Sequence, residues 1–314
     1  MKPPLIILTG PTAVGKTALS IALAKTIQGE IISADSMQVY RHMDIGTAKI
    51  KPEEMHSVPH HLIDICEPSE DFHVARFATE AKQCIEQIYE RGHIPILVGG
   101  TGFYIQAVLY GIEFGENDGD MTYRKQLEQQ VTEYGAEWLH EQLKAIDKKS
   151  AEKIHPNNIK RVIRALEYYH QTGELMSVHN EREQKRESPY DAFYFVLTDE
   201  RALIYKRIEQ RVDMMLQEGL VDEVKALANR GYDKSYVSMQ GLGYKEILTF
   251  LAGECTLEEA VLQLKQETRH FAKRQLTWFK REKEVIWLNK QEFPTTELLL
   301  EQICKRIEEK RGTI

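Results

Sequence analysis

Cysteine is scarce. Four occur in 314 residues, at positions 66, 84, 255 and 304, and no two form a CxxC pair. This spacing excludes a zinc ribbon or a disulfide framework and fits a reducing compartment, so a cytoplasmic protein is expected. No apolar run approaches the roughly 18 residues that a membrane span needs, and no membrane association is expected. The N-terminal "MKPPLIILTG" has too short an apolar run for a secretory leader and leads straight into a glycine motif. A positive excess is missing as well: 41 Lys and Arg stand against 48 Asp and Glu, a net charge of −7. A globally basic surface is thereby excluded, and any hold on nucleic acid must use a local patch. Internal repeats and low-complexity tracts are lacking. What remains is 42% apolar and 28% charged, an ordinary composition for one large globular domain or two modest ones.

The first third alternates short apolar runs with helical patterns. "LIILTG", "EIISAD", "HHLIDIC" and "IPILVGG" are continuous rather than alternating. Such runs suit strands buried on both faces, which predicts an α/β fold with a parallel sheet flanked by helices. From about Ile112 the character changes to a Gly- and acid-rich stretch, "EFGENDGDMTYRKQ", and then to helical patterns. Residues 113–198 therefore read as a mainly helical insertion, and residues 1–112 with 199–314 as the core. "AFYFVLT" reads as a strand returning to the sheet. Long helical regions follow from Asp199 to Tyr232 and from Thr256 to Glu282.

"GPTAVGKT" follows the first strand and opens a helix, the order and spacing of a phosphate loop. Gly10 and Gly15 permit tight turns, and the N–H groups of Gly10, Pro11, Thr12, Ala13, Val14, Gly15, Lys16 and Thr17 (proline excepted) are candidates for an anion cradle. Lys16 adds a mobile positive charge, and Thr17 can ligate a metal held by the phosphates. The loop alone says polyphosphate. An ATPase would want an acid at the end of a neighbouring strand, yet "IPILVGG" ends in Gly99, Gly100 and Thr101; Asp64 is the other candidate, or else a turn-capping acid. Asp35 ends the second strand, on the side where ligands bind an open α/β sheet, as a base or as the start of an Asp-Ser turn. Arg207 and Arg211 are one turn apart on a predicted helix, with Arg211 beside Ile204, Ile208 and Met215. An arginine so placed wants an anion, either a ligand or an internal glutamate.

The ordered set "GPTAVGKT", "ISADSMQVYRHMDIGTAK", "PHHLIDI", "IPILVGGTGFY", "IHPNNIKRVIRALE", "RIEQRVDMML", "QGLGYKE" and "AKRQLTWFK" resembles the motifs of bacterial tRNA dimethylallyltransferases, over residues 10 to about 281. The resemblance implies a P-loop NTPase-like core with a helical insertion. It implies transfer of a dimethylallyl group from dimethylallyl diphosphate to N6 of adenosine 37, in tRNAs reading codons that begin with U. By the same likeness the loop, Arg207 and Arg211 hold the diphosphate with Mg2+, Asp35 is the general base, and Thr101 lies at the reacting centre or caps the following helix. Contact with the anticodon stem-loop is implied for Ser36, Met37, Gln38, Arg124, Lys160, Arg161, Arg164, Gln240, Gly243, Tyr244 and Lys245.

Between residues 264 and 283, Leu264, Phe271 and Trp278 form an apolar stripe. Arg269, Lys273 and Lys280 lie opposite it, and Arg274 and Arg281 make a second basic row, an RNA ridge or a solvated face. "ENDGDMTYRK" departs from the family pattern in lacking prolines, and Lys245 stands where some relatives have arginine. No zinc-finger extension follows, as expected of a bacterial member, and a monomer is expected. Other readings are an adenylate isopentenyltransferase, an ATP-dependent nucleotide kinase, or an RNA-binding module with a vestigial loop.

Overall fold

The computed structural model describes residues 2–112, 122–183 and 186–311. The Gly- and acid-rich segment 113–121, with most of "ENDGDMTYRK", lies outside them.

β1 (Pro4–Thr9), β2 (Gly29–Ala34), β3 (His60–His61), β4 (Ile94–Gly99), β5 (Asp191–Thr198) and β6 (Val285–Asn289) form one sheet in the order β3-β2-β4-β1-β5-β6. Every pairing is parallel. Alternate residues of each strand face opposite sides, and both sides are apolar. Leu5, Ile7, Ile32 and Leu97 pack toward α2 (Val74–Glu90), α10 (Leu220–Asn229) and α12 (Leu257–Phe279). Ile6, Leu8, Ile31 and Ile96 pack toward α1 (Lys16–Ile27) and α13 (Thr296–Arg311). The periodicity of α2 makes the fit: Phe77, Ala81, Ile85 and Ile88 recur at helical spacing and are buried. Because the strands are parallel, the carboxyl ends of β1, β2, β4 and β5 open on one edge, where a doubly wound sheet holds ligands.

The chain divides into two compact units, residues 1–111 with 188–314, and residues 112–187. The boundary expected at 198 falls earlier. β5 begins at Asp191 and pairs with β1 from Pro4↔Asp191 to Thr9↔Val196, so the returning strand belongs to the sheet and not to the insertion. The second unit carries α4 (Thr122–Tyr134), α5 (Ala136–Ile146), α6 (Lys148–Lys153), α7 (Ile159–Thr172) and α8 (Met176–Glu183). Leu127, Leu139, Leu143, Val162 and Leu166 make its core. Asp147 staples it internally, accepting from the N–H and hydroxyl of Ser150 and from the N–H of Ser177.

Three sequence expectations change in detail. "HHLIDIC" gives a two-residue strand, because Leu62 and Asp64 adopt positive φ (62° and 55°) and break the extended run. The helical region from Asp199 splits at Gly219 (φ 101°) into α9 (Arg201–Gln217) and α10. β6 and α13 had no counterpart among the predicted elements; β6 extends the sheet beyond β5, and Leu299, Ile303 and Ile307 of α13 seal one apolar face.

Candidate active site

The loop between β1 and α1 turns at Ala13 (φ 62°) and Gly15 (φ 96°). Gly15 caps α1 in the left-handed region, where a side chain is strained, so glycine is the residue that lets the helix start under the loop. The Lys16 ammonium donates to the carbonyls of Gly10 (3.0 Å) and Pro11 (2.9 Å), arching across the loop. Ala13 packs on Ile204, Ile208 and Ala272, which fixes the loop against α9 and α12.

α9 presents its two arginines differently. Arg207 donates through Nε to the Ala13 carbonyl (2.9 Å) and through Nη2 to the buried carboxylate of Asp199 (2.6 Å). It props the loop from behind through these two contacts, and its side chain stays one-third exposed. Arg211, half-buried, has no hydrogen bond or ion pair among the described residues, which removes the internal salt bridge as its explanation. Burial lowers its pKa, and the charge of Asp35 works against that. The same three groups meet at Lys16: burial and then the neighbouring Arg211 pull the lysine down to about 8, while Asp35 pulls it up. Two cations therefore crowd one carboxylate beside a ring of backbone N–H groups. That surplus favours an anion, and a polyanion most of all.

Asp35 stands just past β2. Its Oδ1 accepts from the backbone N–H of Met37 (2.9 Å) and Gln38 (3.4 Å). This is the Asp turn anticipated as the alternative; it fixes the carboxylate through Oδ1 and leaves Oδ2 with no hydrogen bond among the described residues. Thr101 sits at the start of α3 (Gly102–Leu109), but its hydroxyl does not cap the helix. It accepts the N–H of Ser36 at 3.2 Å, which joins the end of β4 to the Asp35 loop. Asp64 is committed elsewhere: with Asp44 it pairs with the buried ammonium of Lys49. No acid ends β4, and Asp64 cannot stand in for one.

Thr17, the hydroxyl expected to ligate a metal, lies exposed in the first turn of α1. Among the described residues no group of three His, Cys, Asp or Glu could hold a metal ion. One hydroxyl fits Mg2+ only where phosphate oxygens and water supply the remaining ligands, which is the usual habit of that ion.

The expected RNA contacts divide. Lys273, Arg274, Lys280 and Arg281 are exposed on or just past α12, with Arg274 over the Phe271 ring (5.9 Å). Arg269 is instead paired with Glu209 of α9 (2.7 Å) and braces the two helices. Leu264 is buried, whereas Phe271 and Trp278 are half-buried. Gln240 is exposed and Lys245 half-buried. Tyr244 is 0% exposed and Gly243 is buried at φ 92°, so both leave the list of surface contacts. Tyr244 is core: its hydroxyl donates to Glu223 (2.7 Å), and its ring lies against Gly46. Gln38 spends its amide on the carbonyls of Thr47 and Ala48 and on Ser33. Ser36 and Met37 are half-buried. In the second unit, Lys160 and Arg161 are exposed and Arg164 half-buried on α7. Arg124 is held bidentate by Glu167 (2.8 and 2.6 Å), which ties α4 to α7.

Sequence reasoning missed two residues here. Lys290, just past β6, brings its ammonium within 3.3 Å of where a Cβ on Gly15 would lie, a further cation at the loop. Gln275, 6% exposed, accepts from the N–H of Thr12 (2.8 Å) and donates to the carbonyl of Gly100 (2.9 Å). A polar residue inside the apolar stripe of α12 was the available signal.

Comparison with known proteins points to one family. A family profile described as IPP transferase matches residues 38–282, and one described as isopentenyl transferase matches residues 3–70. The tRNA dimethylallyltransferase of Lachnoclostridium phytofermentans is 61% identical, covering 98% of this chain and 98% of its own. That of Acetivibrio thermocellus is 50% identical over 95% of each. Among solved structures, the tRNA delta(2)-isopentenylpyrophosphate transferase of Staphylococcus epidermidis superposes with a TM-score of 0.73 at 45% identity, covering 98% of this chain and 100% of its own. A eukaryotic dimethylallyltransferase acting on tRNA reaches 0.85 at 30% identity, covering 99% and 80%.

Proposed function

The chain belongs to the tRNA dimethylallyltransferase family, and we propose that it moves a dimethylallyl group from dimethylallyl diphosphate to N6 of adenosine 37, in tRNAs that read codons beginning with U. The observation that carries this is the meeting of Lys16, Arg211 and Asp35 at a phosphate loop with no acid at the end of β4.

The chemistry follows from charge. The bond between the allylic carbon and the diphosphate oxygen breaks, and its electron pair leaves with the diphosphate. Lys16, Arg211, Lys290 and the loop N–H groups stabilise the charge growing there, which is where preorganised donors contribute most. Mg2+, held through Thr17, would add further neutralisation of the diphosphate. The N6 lone pair is conjugated into adenine and needs help. Asp35, fixed through Oδ1, takes the amine proton through Oδ2 as the C–N bond forms. Thr101 keeps its own O–H proton to donate to substrate. For the base to reach Asp35 it must leave its stack, and the exposed cations of α12 hold the surrounding phosphates.

Incubation with dimethylallyl diphosphate and unmodified tRNA, followed by nucleoside analysis, tests the reading. N6-isopentenyladenosine at position 37 is expected. Modification of free AMP instead would support the adenylate isopentenyltransferase reading, which the match to residues 3–70 keeps in view. A nucleotide kinase is disfavoured by the commitment of Asp64 to Lys49. No described helix is long and apolar enough to cross a membrane. A monomer acting in the cytoplasm completes the proposal, tested by size-exclusion chromatography and fractionation.

A further inference from the structure

Thr101 stands between two glycines, and α12 touches both. The Gln275 amide reaches Gly100, where an added Cβ would lie 2.1 Å from Nε2; the Trp278 ring covers Gly102, where one would lie 2.2 Å from the ring. The other end of the Gln275 amide holds the N–H of Thr12 in the phosphate loop. The orientation is forced: the oxygen must face an N–H and the NH2 a carbonyl, since the reverse would set donor against donor. One buried side chain therefore spans the two halves of the site. On one side is the loop that grips the leaving group. On the other is the β4–α3 corner, whose Thr101 accepts from Ser36 beside Asp35. The same helix carries Lys273 and Arg274 on its exposed face, immediately before Gln275.

We infer that Gln275 is a positioning residue that fixes the distance between the diphosphate loop and the Thr101–Asp35 corner, so that donor carbon and acceptor nitrogen meet in line. This rests on the transferase reading above. It requires no contact of Gln275 with either substrate. Buried amides with both ends satisfied hold geometry well, and misplacement of a reacting pair by about 1 Å costs roughly 100-fold in rate.

Gln275→Met keeps the volume and removes both hydrogen bonds. Expected is a fall in kcat of roughly 10- to 100-fold. The Kd for inorganic diphosphate, read by calorimetry, should weaken several-fold, with tRNA affinity unchanged. The decisive readout is a double-mutant cycle with Thr101→Ala: if Gln275 acts through Thr101, Gln275→Met costs much less kcat once Thr101 is gone. Losses in kcat that multiply independently, or a Met variant with unaltered kcat and diphosphate affinity, would overturn the inference. A purely structural role would lower thermal stability and leave those ratios alone. Should the Met variant not fold, Gln275→Glu keeps the acceptor for Thr12 and loses the donor for Gly100, and unchanged kcat in it would equally overturn the inference. The unaltered protein is assayed alongside. No transfer by it sinks the transferase reading, whereas the calorimetric diphosphate response still reports on Gln275.

Discussion

The Thr101 hydroxyl accepts the N–H of Ser36 at 3.2 Å, and so the end of β4 is fastened to the loop that aims Asp35. Neither side chain could be placed by its own strand alone. Their relation is set across the β2–β4 pairing, whose last register is Ala34↔Gly99.

Asp35→Asn tests the base without dismantling this corner. The asparagine oxygen still accepts from Met37 and Gln38, so the turn survives. Single-turnover transfer should fall by the roughly 10²–10⁴ typical of a lost general base, with tRNA affinity unchanged. If the transfer rate is kept, Asp35 only shapes the turn. Thr101→Ser should retain most activity and Thr101→Ala should lose it, since only the hydroxyl is asked to act.

Lys16 makes a pH prediction whose sign can be worked out. Its folded pKa of about 8 lies below the ordinary 10.5, so the unfolded chain holds the proton more tightly. Lys16 therefore costs the ligand-free fold stability below pH 8, a cost relieved between about 8 and 10.5. Diphosphate reverses the balance, because it binds the charged form. The diphosphate-induced rise in Tm should be largest below pH 8 and shrink above it. Lys16→Met should remove the rise in ligand-free stability between about pH 8 and 10.5 and weaken the diphosphate response. A response flat across that range would place the loop charge elsewhere.

The extent to which all this was legible in the sequence depends on what each signal measured. The phosphate loop and the buried strands are local patterns, and β1, β2, β4 and β5 stand where the apolar runs put them. Asp64 was ambiguous because strand length is decided by backbone conformation at Leu62 and Asp64, which composition does not report. Arg269, Arg124 and Arg207 read as free cations because their partners, Glu209, Glu167 and Asp199, are distant or unremarkable in sequence. Gln275 was hard to place for the opposite reason: its partners are backbone atoms, which carry no sequence signature, and only its position inside an apolar stripe marked it.

Tyr244 and Glu223 predict a stability effect rather than an RNA effect. Glu223 accepts the N–H groups of Asp44, Ile45 and Gly46 as well as the Tyr244 hydroxyl. Tyr244→Phe removes one of four donors and should cost about 1 kcal/mol. Tyr244→Ala opens a cavity in a fully buried position and should cost about 3–5 kcal/mol, as large aromatic truncations do. Denaturant titration reads both. The affinity for tRNA should stay the same in Tyr244→Phe; weaker binding at fixed salt would return Tyr244 to the RNA surface.

The cations of α12 should separate by the same measurement. Lys273 and Lys280 are exposed, and neither has an ion pair among the described residues, so each is available to a phosphate. Replacing both with alanine should weaken tRNA binding and flatten the plot of log K against log salt by roughly 0.7–0.9 per lost contact. Arg269→Ala removes a cation of the same helix that is already spent on Glu209. It should leave the salt slope unchanged and cost at most about 1 kcal/mol of stability, the usual worth of a partly exposed pair. The contrast matters because net charge changes by one in the same direction for each lysine and for Arg269. A slope that followed net charge alone, with Arg269→Ala lowering it as much as either lysine, would mean that the helix acts as a diffuse positive surface. A slope that falls only for the lysines would mean that it docks phosphates at fixed positions.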